Sequence, residues 1–213
     1  MKRNWIVTAF YTRDKPGAPS YKKVAEKYLL PSLAKLGIHC DLQIVENRGS
    51  WLANIAHKPE VIEKALNAYK SVDVNVVYID VDAVVELYPS LFDCIDEKYY
   101  IAAHRLDRIA WYGLQNSCVK PELFNGTIFL RNNQKTRDFV ADWKERCKDV
   151  EVWEPTHFKK AIENTGIKCF DLPLSYAYIY SLPDGSKPLI ELEHVYIRHH
   201  QASREHRGGF RNG

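Results

Sequence analysis

Two aspartates, Asp80 and Asp82, stand either side of Val81 in the segment VNVVYIDVDAVV, where an apolar run over 74–79 ends abruptly. A β-branched run of that length reads as a strand buried on both faces. Ligands of open α/β sheets bind at the carboxyl ends of strands, where these two acids would lie. Paired acids there are costly unless positive charge meets them. A divalent cation with oxygen ligands, itself holding a phosphate-bearing substrate, meets that need. The other reading is a pair of solvated acids in a loop after a core strand. The doublet His199-His200 follows the last apolar run. Mn²⁺ tolerates an imidazole beside carboxylates, and on a regular strand only one of two neighbours faces a given side. Arg204 can pair with phosphates bidentately, or stand as a solvated tail charge.

Arg48, Trp51, Asn54 and Lys58 form another group with chemical potential. A basic side chain there can reach phosphate, and Trp51 can stack on a ring or cap the core. Thr8 and Tyr11 sit at the end of the first apolar run, where a nucleotide base would lie in such a sheet.

Positioning these residues requires an alternating chain. Strands are expected over 5–11, 40–45 and 74–79, with helices from Ser20 to about Leu36, interrupted at Pro31, and from Pro59 to Tyr69. Gly37 is the expected stop of the first helix. This order predicts a parallel sheet covered by helices. Further on, strands are expected over 99–103, 124–131, 168–170, 176–180 and 195–198, and helices over 136–147 and 155–162. Gly126, inside the strand FNGTIFLR, marks a close approach of ligand or backbone.

The 213 residues, 46% of them hydrophobic, suit one domain over 1–213 with a basic tail from about 199. A net charge of +3 does not by itself argue for nucleic acid. No apolar run approaches the ~20 residues of a membrane span. Five scattered cysteines without a C-x-x-C pair argue against a disulfide framework or zinc knuckle and favour a cytoplasmic setting.

Several segments together carry a family resemblance: WIVTAFYT, GSWLANIAHKPEVIEKAL, VVYIDVDAVV with a following YPSLF, FNGTIFLRNN, LPLSYAY and HHQASR. In that order they resemble GT-A-type nucleotide-diphospho-sugar transferases, a branch of the glycosyltransferases, across nearly the whole chain. The resemblance implies a single α/β, Rossmann-like domain with a mixed, mostly parallel sheet flanked by helices. It implies a nucleotide-sugar donor, commonly a UDP-sugar, and Mn²⁺ or Mg²⁺ held by Asp80 and Asp82. In the family pattern a late His two before the Gln of QASR completes the metal shell, which assigns that role to His199. The base pocket falls on Thr8, Ala9 and Tyr11, and Lys58 or Arg48 lies near the phosphates. Val81 belongs to the donor-binding turn, and Asn125 and Gly126 border the sugar. Where members often carry Asp-Gln at a helix start, this chain has Thr156-His157, so Glu154 or His157 stands as the replacement base. An inverting reaction needs such a base, whereas a retaining one does not. The acceptor is left open among glycan, small molecule, protein and modified DNA, and the basic tail admits nucleic-acid binding. A nucleotide-binding relative without turnover is the third reading.

Overall fold

A computed structural model of the chain describes residues 4–14, 20–107, 122–179 and 188–202. The central sheet has six strands: β1 (Trp5–Thr12), β2 (Cys40–Val45), β3 (Asn75–Ile79), β5 (Ile101–Leu106), β6 (Glu122–Leu130) and β7 (Cys169–Asp171). They lie in the order β2-β1-β3-β6-β5-β7. All pairings are parallel except the two made by β6, so β6 alone runs against the rest. This is the mixed, mostly parallel α/β sheet that the sequence implied.

β3 is buried at every position, as a strand covered on both faces requires. Its side chains alternate between two cores. Val77 and Ile79 join Trp5, Leu29, Leu33 and Phe92 on one side. Val76 and Tyr78 join Ile62, Leu66, Phe139, Trp143 and Phe158 on the other. The first core is covered by α1 (Tyr21–Lys27) and α2 (Leu29–Lys35), the second by α4 (Lys58–Ala68), α5 (Gln134–Arg146) and α6 (Glu154–Thr165).

Helix starts follow local chemistry. The Ser20 hydroxyl accepts from Lys23 N–H, the Ser50 hydroxyl from Ala53 N–H, and Asn133 Oδ1 from Thr136 N–H, each satisfying a first-turn amide. The expected long first helix is divided at Tyr28, three residues before Pro31, which α2 accommodates in its first turn. Gly37 follows with φ +60°, the left-handed conformation of a helix stop. Ser50 also starts a short helix, α3 (Trp51–Ile55), in a stretch to which the sequence assigned no element.

A second, three-stranded sheet has the order β4 (Ala83–Val85), β9 (Ile197–His199), β8 (Tyr178–Ile179). β4 and β9 are antiparallel, with Ala83 opposite His199. This pairing brings the end of the described chain to the turn after β3. Cys40, Cys94, Cys147 and Cys169 are free thiols. Among the described residues no helix is long and apolar enough to cross a membrane.

Candidate functional site

A cavity of about 300 Å³ opens at the carboxyl edge of β1 and β3. Its walls come from the end of β1 (Tyr11, Thr12), from α3 and the start of α4 (Trp51, Lys58), from Asp80, Val81 and Asp82, and from Gln201. The start of β6 reaches the same edge because β6 runs in the opposite direction, and it contributes Leu123, Phe124 and Asn125. Trp153 and Glu154, at the start of α6, close the far side.

Asp80 leaves β3 with its amide donating to Gly126 O at 2.8 Å, and Ala83 N–H turns back to Asp80 O at 3.0 Å. The two acids therefore share a tight turn between β3 and β4. Tyr78, two residues earlier on the same face, donates its hydroxyl to Asp80 Oδ1 at 2.7 Å. The Lys58 ammonium lies 3.3 Å from Asp80 Oδ1 and 3.8 Å from Glu154 Oε2, and it donates to Asn125 O and Oδ1 at 3.0 and 3.2 Å. Asn125 Nδ2 in turn donates to both Glu154 oxygens at 2.7 and 2.8 Å. On the other side, Asp82 Oδ2 accepts from Ala202 N–H at 2.8 Å. His199 is fully buried, and its Nδ1 faces Asp82 Oδ1 at 4.0 Å.

Ligand atoms of Asp80, Asp82 and His199 lie within 4.8 Å of one another. Asp82 Oδ1 and His199 Nδ1 are buried without a hydrogen-bond partner, a state that costs free energy unless something fills the space between them. Charge points the same way. Asp80, Asp82 and Glu154 face the single ammonium of Lys58, so the fully ionised set is short of two positive charges. Burial, then Asp80, pushes the Asp82 carboxyl up to about 7. Burial likewise raises Glu154 to about 7, against the pull of Lys58. Burial opposes the charge on Lys58, but Asp80 and Glu154 hold its pKa above the ordinary lysine value. Burial lowers His199 to about 4, which keeps its imidazole neutral and fit to ligate at neutral pH. Two carboxylates and an imidazole fit a divalent cation, and the imidazole suits Mn²⁺ better than Mg²⁺.

The remaining residues singled out by sequence divide by position. Tyr11, Trp51, Lys58, Val81, Asn125 and Glu154 line the cavity. Thr8 and Ala9 are fully buried outside its lining, and the Thr8 hydroxyl donates to Asp41 O at 3.2 Å. Gly126 also lies behind the lining, where its lack of a side chain matters: an added Cβ would stand 2.8 Å from Asp80 Oδ2 and 2.5 Å from Phe124 Cζ. Arg48 lies outside the lining and grips Glu60 through two contacts of 2.7 and 2.8 Å. His157 is buried in the packing of α6, with Nε2 on Asp149 O at 2.8 Å, also outside the lining. Arg204 and most of the basic tail lie outside the described residues. Sequence reasoning passed over Phe10, Tyr21, Tyr78, Phe124, Trp153 and Gln201 as cavity residues. Of these, Tyr78 was within reach of the strand period, since it shares a face with Asp80. Gln201 has φ 55°, a strained backbone for a residue with a side chain, and it lines the cavity together with the acids.

No family model matches the chain, and no curated protein matches it by sequence. Solved structures do match in fold. A glycosyltransferase involved in glycosylation of the major capsid of PBCV-1 superposes with a TM-score of 0.62 at 12% identity, over 96% of this chain and 98% of that one. The WbbM bifunctional glycosyltransferase gives 0.58 at 13% identity, over 94% of this chain and 46% of that one. The mouse xyloside xylosyltransferase 1 gives 0.51 at 10% identity, over 94% and 98%. This chain therefore has the fold of these glycosyltransferases, the GT-A-type α/β domain that its sequence segments resemble.

Proposed function

We propose that the protein is a metal-dependent glycosyltransferase that moves a sugar from a nucleoside-diphosphate sugar, of which a UDP-sugar is the expected donor, to a hydroxyl-bearing acceptor. The observation that carries this reading is the meeting of Asp80, Asp82 and His199, with two unpartnered buried atoms, at the cavity of a GT-A-type fold.

Asp80, Asp82 and His199 would hold the cation. Mn²⁺ or Mg²⁺ held there would supply Lewis-acid stabilisation of the charge that develops on a departing nucleoside diphosphate. Tyr11, Thr12 and Trp51 form the end of the cavity suited to the base, where aromatic faces offer stacking. Lys58 acts from below. Its ammonium holds Asp80, Asn125 and Glu154 in one arrangement instead of reaching out to phosphate.

Glu154 supplies negative charge where the sugar becomes cation-like. In an inverting transfer its carboxylate takes the acceptor's proton, and in a retaining one it steadies the oxocarbenium-like sugar. Beyond it, Leu106, Leu123, Phe124, Trp153, Pro155 and Ile179 build an apolar wall. Such a wall suits the apolar face of a sugar ring, and Trp153, 38% exposed and next to Glu154, is the platform for it. The test is a panel of nucleotide-sugars with Mn²⁺, Mg²⁺ or EDTA, read by release of nucleoside diphosphate and by thermal shift. The expected result is cation-dependent stabilisation and turnover with one donor class; stabilisation by no nucleotide-sugar would refute the reading.

A further inference from the structure

Each member of the Asp80–Asp82–His199 set commits one polar atom to a protein partner. Asp80 Oδ1 accepts from the Tyr78 hydroxyl, and Asp82 Oδ2 accepts from Ala202 N–H. His199 Nε2 lies 2.9 Å from Thr127 Oγ1. The atoms left without a protein partner are Asp80 Oδ2, Asp82 Oδ1 and His199 Nδ1.

The Thr127 contact decides the orientation of the imidazole: Nε2 meets the hydroxyl, so Nδ1 is the nitrogen that faces the acids. A hydroxyl can donate to Nε2 or accept from it, so the contact serves either tautomer, and a ligating Nδ1 requires the proton on Nε2. A proton on Nδ1 would find no acceptor, because Asp82 Oδ1 stands 4.0 Å away, beyond hydrogen-bond reach. A proton on Nε2 is accepted by the Thr127 hydroxyl and leaves the Nδ1 lone pair facing the acids. Thr127 is well placed to hold this orientation. It is fully buried on β6, opposite Ile79 of β3, and a β-branched side chain in a strand has few rotamers. Its neighbours Ile128, Phe129 and Leu130 are apolar, so the hydroxyl is the polar exception in a stretch built for packing. Phe124 packs edge-on against the imidazole at 4.8 Å and 82°, which opposes rotation of the ring.

We infer that Thr127 is a positioning residue: its hydroxyl holds the His199 ring with Nδ1 toward the acids, and accepts the Nε2 proton when Nδ1 is the atom offered to the divalent cation. The inference rests on the metal-dependent reading above. It adds to that reading a residue that touches neither cation nor substrate, and it says which nitrogen ligates.

The test compares wild type, T127V and T127S in two measurements. The first is calorimetric titration with Mn²⁺ in the absence of nucleotide. T127V is expected to bind Mn²⁺ about 10–100-fold more weakly, the range seen when the group orienting a metal-bound histidine is removed, and T127S to stay within a few-fold of wild type. The second is the ¹H–¹⁵N long-range spectrum recorded with the diamagnetic cation Mg²⁺, which tells the two ring nitrogens apart without any activity. On adding Mg²⁺, His199 is expected to carry its proton on Nε2 in wild type and T127S, and to do so only at higher Mg²⁺ in T127V. Equal Mn²⁺ affinity in T127V and wild type would overturn the role of Thr127 alone, as would T127S binding as weakly as T127V. A wild-type protein that binds neither Mn²⁺ nor Mg²⁺ overturns the metal reading, and this inference with it. Should T127V fail to fold, the wild-type spectrum decides, because an Nδ1–H imidazole there contradicts the assignment.

Discussion

His199 Nδ1 and Asp82 Oδ1 face each other at 4.0 Å, both buried and neither in a hydrogen bond. With the proton on Nε2 the two present facing lone pairs, which repel, and a cation between them would turn that repulsion into attraction. The relationship is a product of topology. Asp82 belongs to the turn after β3, His199 to the last described strand, and the pairing of Ala83 with His199 sets them side by side.

Replacing Asp82 by asparagine separates the cost of this arrangement from its use. The amide oxygen of the new side chain can still accept from Ala202 N–H, while the buried negative charge disappears. Because burial and Asp80 already disfavour the ionised Asp82, metal-free D82N should be at least as stable as wild type at pH 7.5. The rise in melting temperature produced by Mn²⁺ should vanish in the variant, since only a ligand bound to the folded form gives one. Transfer should fall by about 100-fold or more, the expected scale of losing a charge-stabilising group. Differential scanning fluorimetry with Mn²⁺ or EDTA checks the first two outcomes, and a wild-type-sized Mn²⁺ shift in D82N would contradict the ligand role.

Gly126 tests how tightly the acids are framed. A methyl group there meets Phe124 and Asp80 Oδ2 at distances under 3.0 Å. Phe124 packs on His199, and Asp80 is tethered to Tyr78, so neither yields without disturbing the metal set. Overpacking of this kind costs roughly 1–3 kcal/mol. G126A should therefore lose about that much stability in urea unfolding, and its apparent Mn²⁺ affinity should drop as well. A variant with weakened stability but unchanged Mn²⁺ binding would show that Asp80 is free to move.

Trp153 separates acceptor from donor. It stands at the cavity beside Glu154 with 38% of its surface exposed, so its removal leaves the core intact. W153A should raise the acceptor KM about 10-fold, in line with the loss of one aromatic platform. Donor affinity and melting temperature should change little. Steady-state kinetics with each substrate varied in turn reads the split, and an equal rise in donor KM would place Trp153 elsewhere in the reaction.

The sequence revealed most where one physical signal acted alone. The run over 74–79 could pack only as a strand buried on both faces, and its abrupt end in acids located the cavity edge. Gly126 was legible as a close approach because few other reasons put glycine mid-strand. The choice of His199 over His200 needed the family pattern, since a strand period alone cannot say which neighbour faces inward. Arg48 reads equally as a phosphate ligand or an ion-pair partner, and Glu60, in the first turn of α4, is what engages it. Thr127 was invisible because a core strand uses threonine freely, whereas the strand period alone sets Tyr78 on the face of Asp80. The role of Thr127 comes from long-range pairing of β3 with β6 and of β4 with β9, which no local pattern encodes.

Glu154 carries a pH signature that distinguishes it from an ordinary surface acid. Burial raises its carboxyl from 4.5 to about 7, with Lys58 and Asn125 only partly offsetting that cost. An acid whose folded-state pKa lies above its unfolded value takes up a proton on folding. Its contribution is thus fully present below about pH 4.5 and disappears as pH rises through 7. Glutamine at this position is neutral at every pH and keeps an oxygen for Asn125 Nδ2. In EDTA, the stability of E154Q relative to wild type should therefore increase between pH 5 and 7.5, by roughly 2–3 kcal/mol. Urea unfolding at several pH values measures that difference, and groups common to both proteins cancel from it. Over the same interval wild-type turnover should climb with ionisation of the carboxyl, while E154Q stays slow and flat. A flat stability difference would mean that Lys58 keeps Glu154 ionised throughout, and the rise in rate would then have to come from another group.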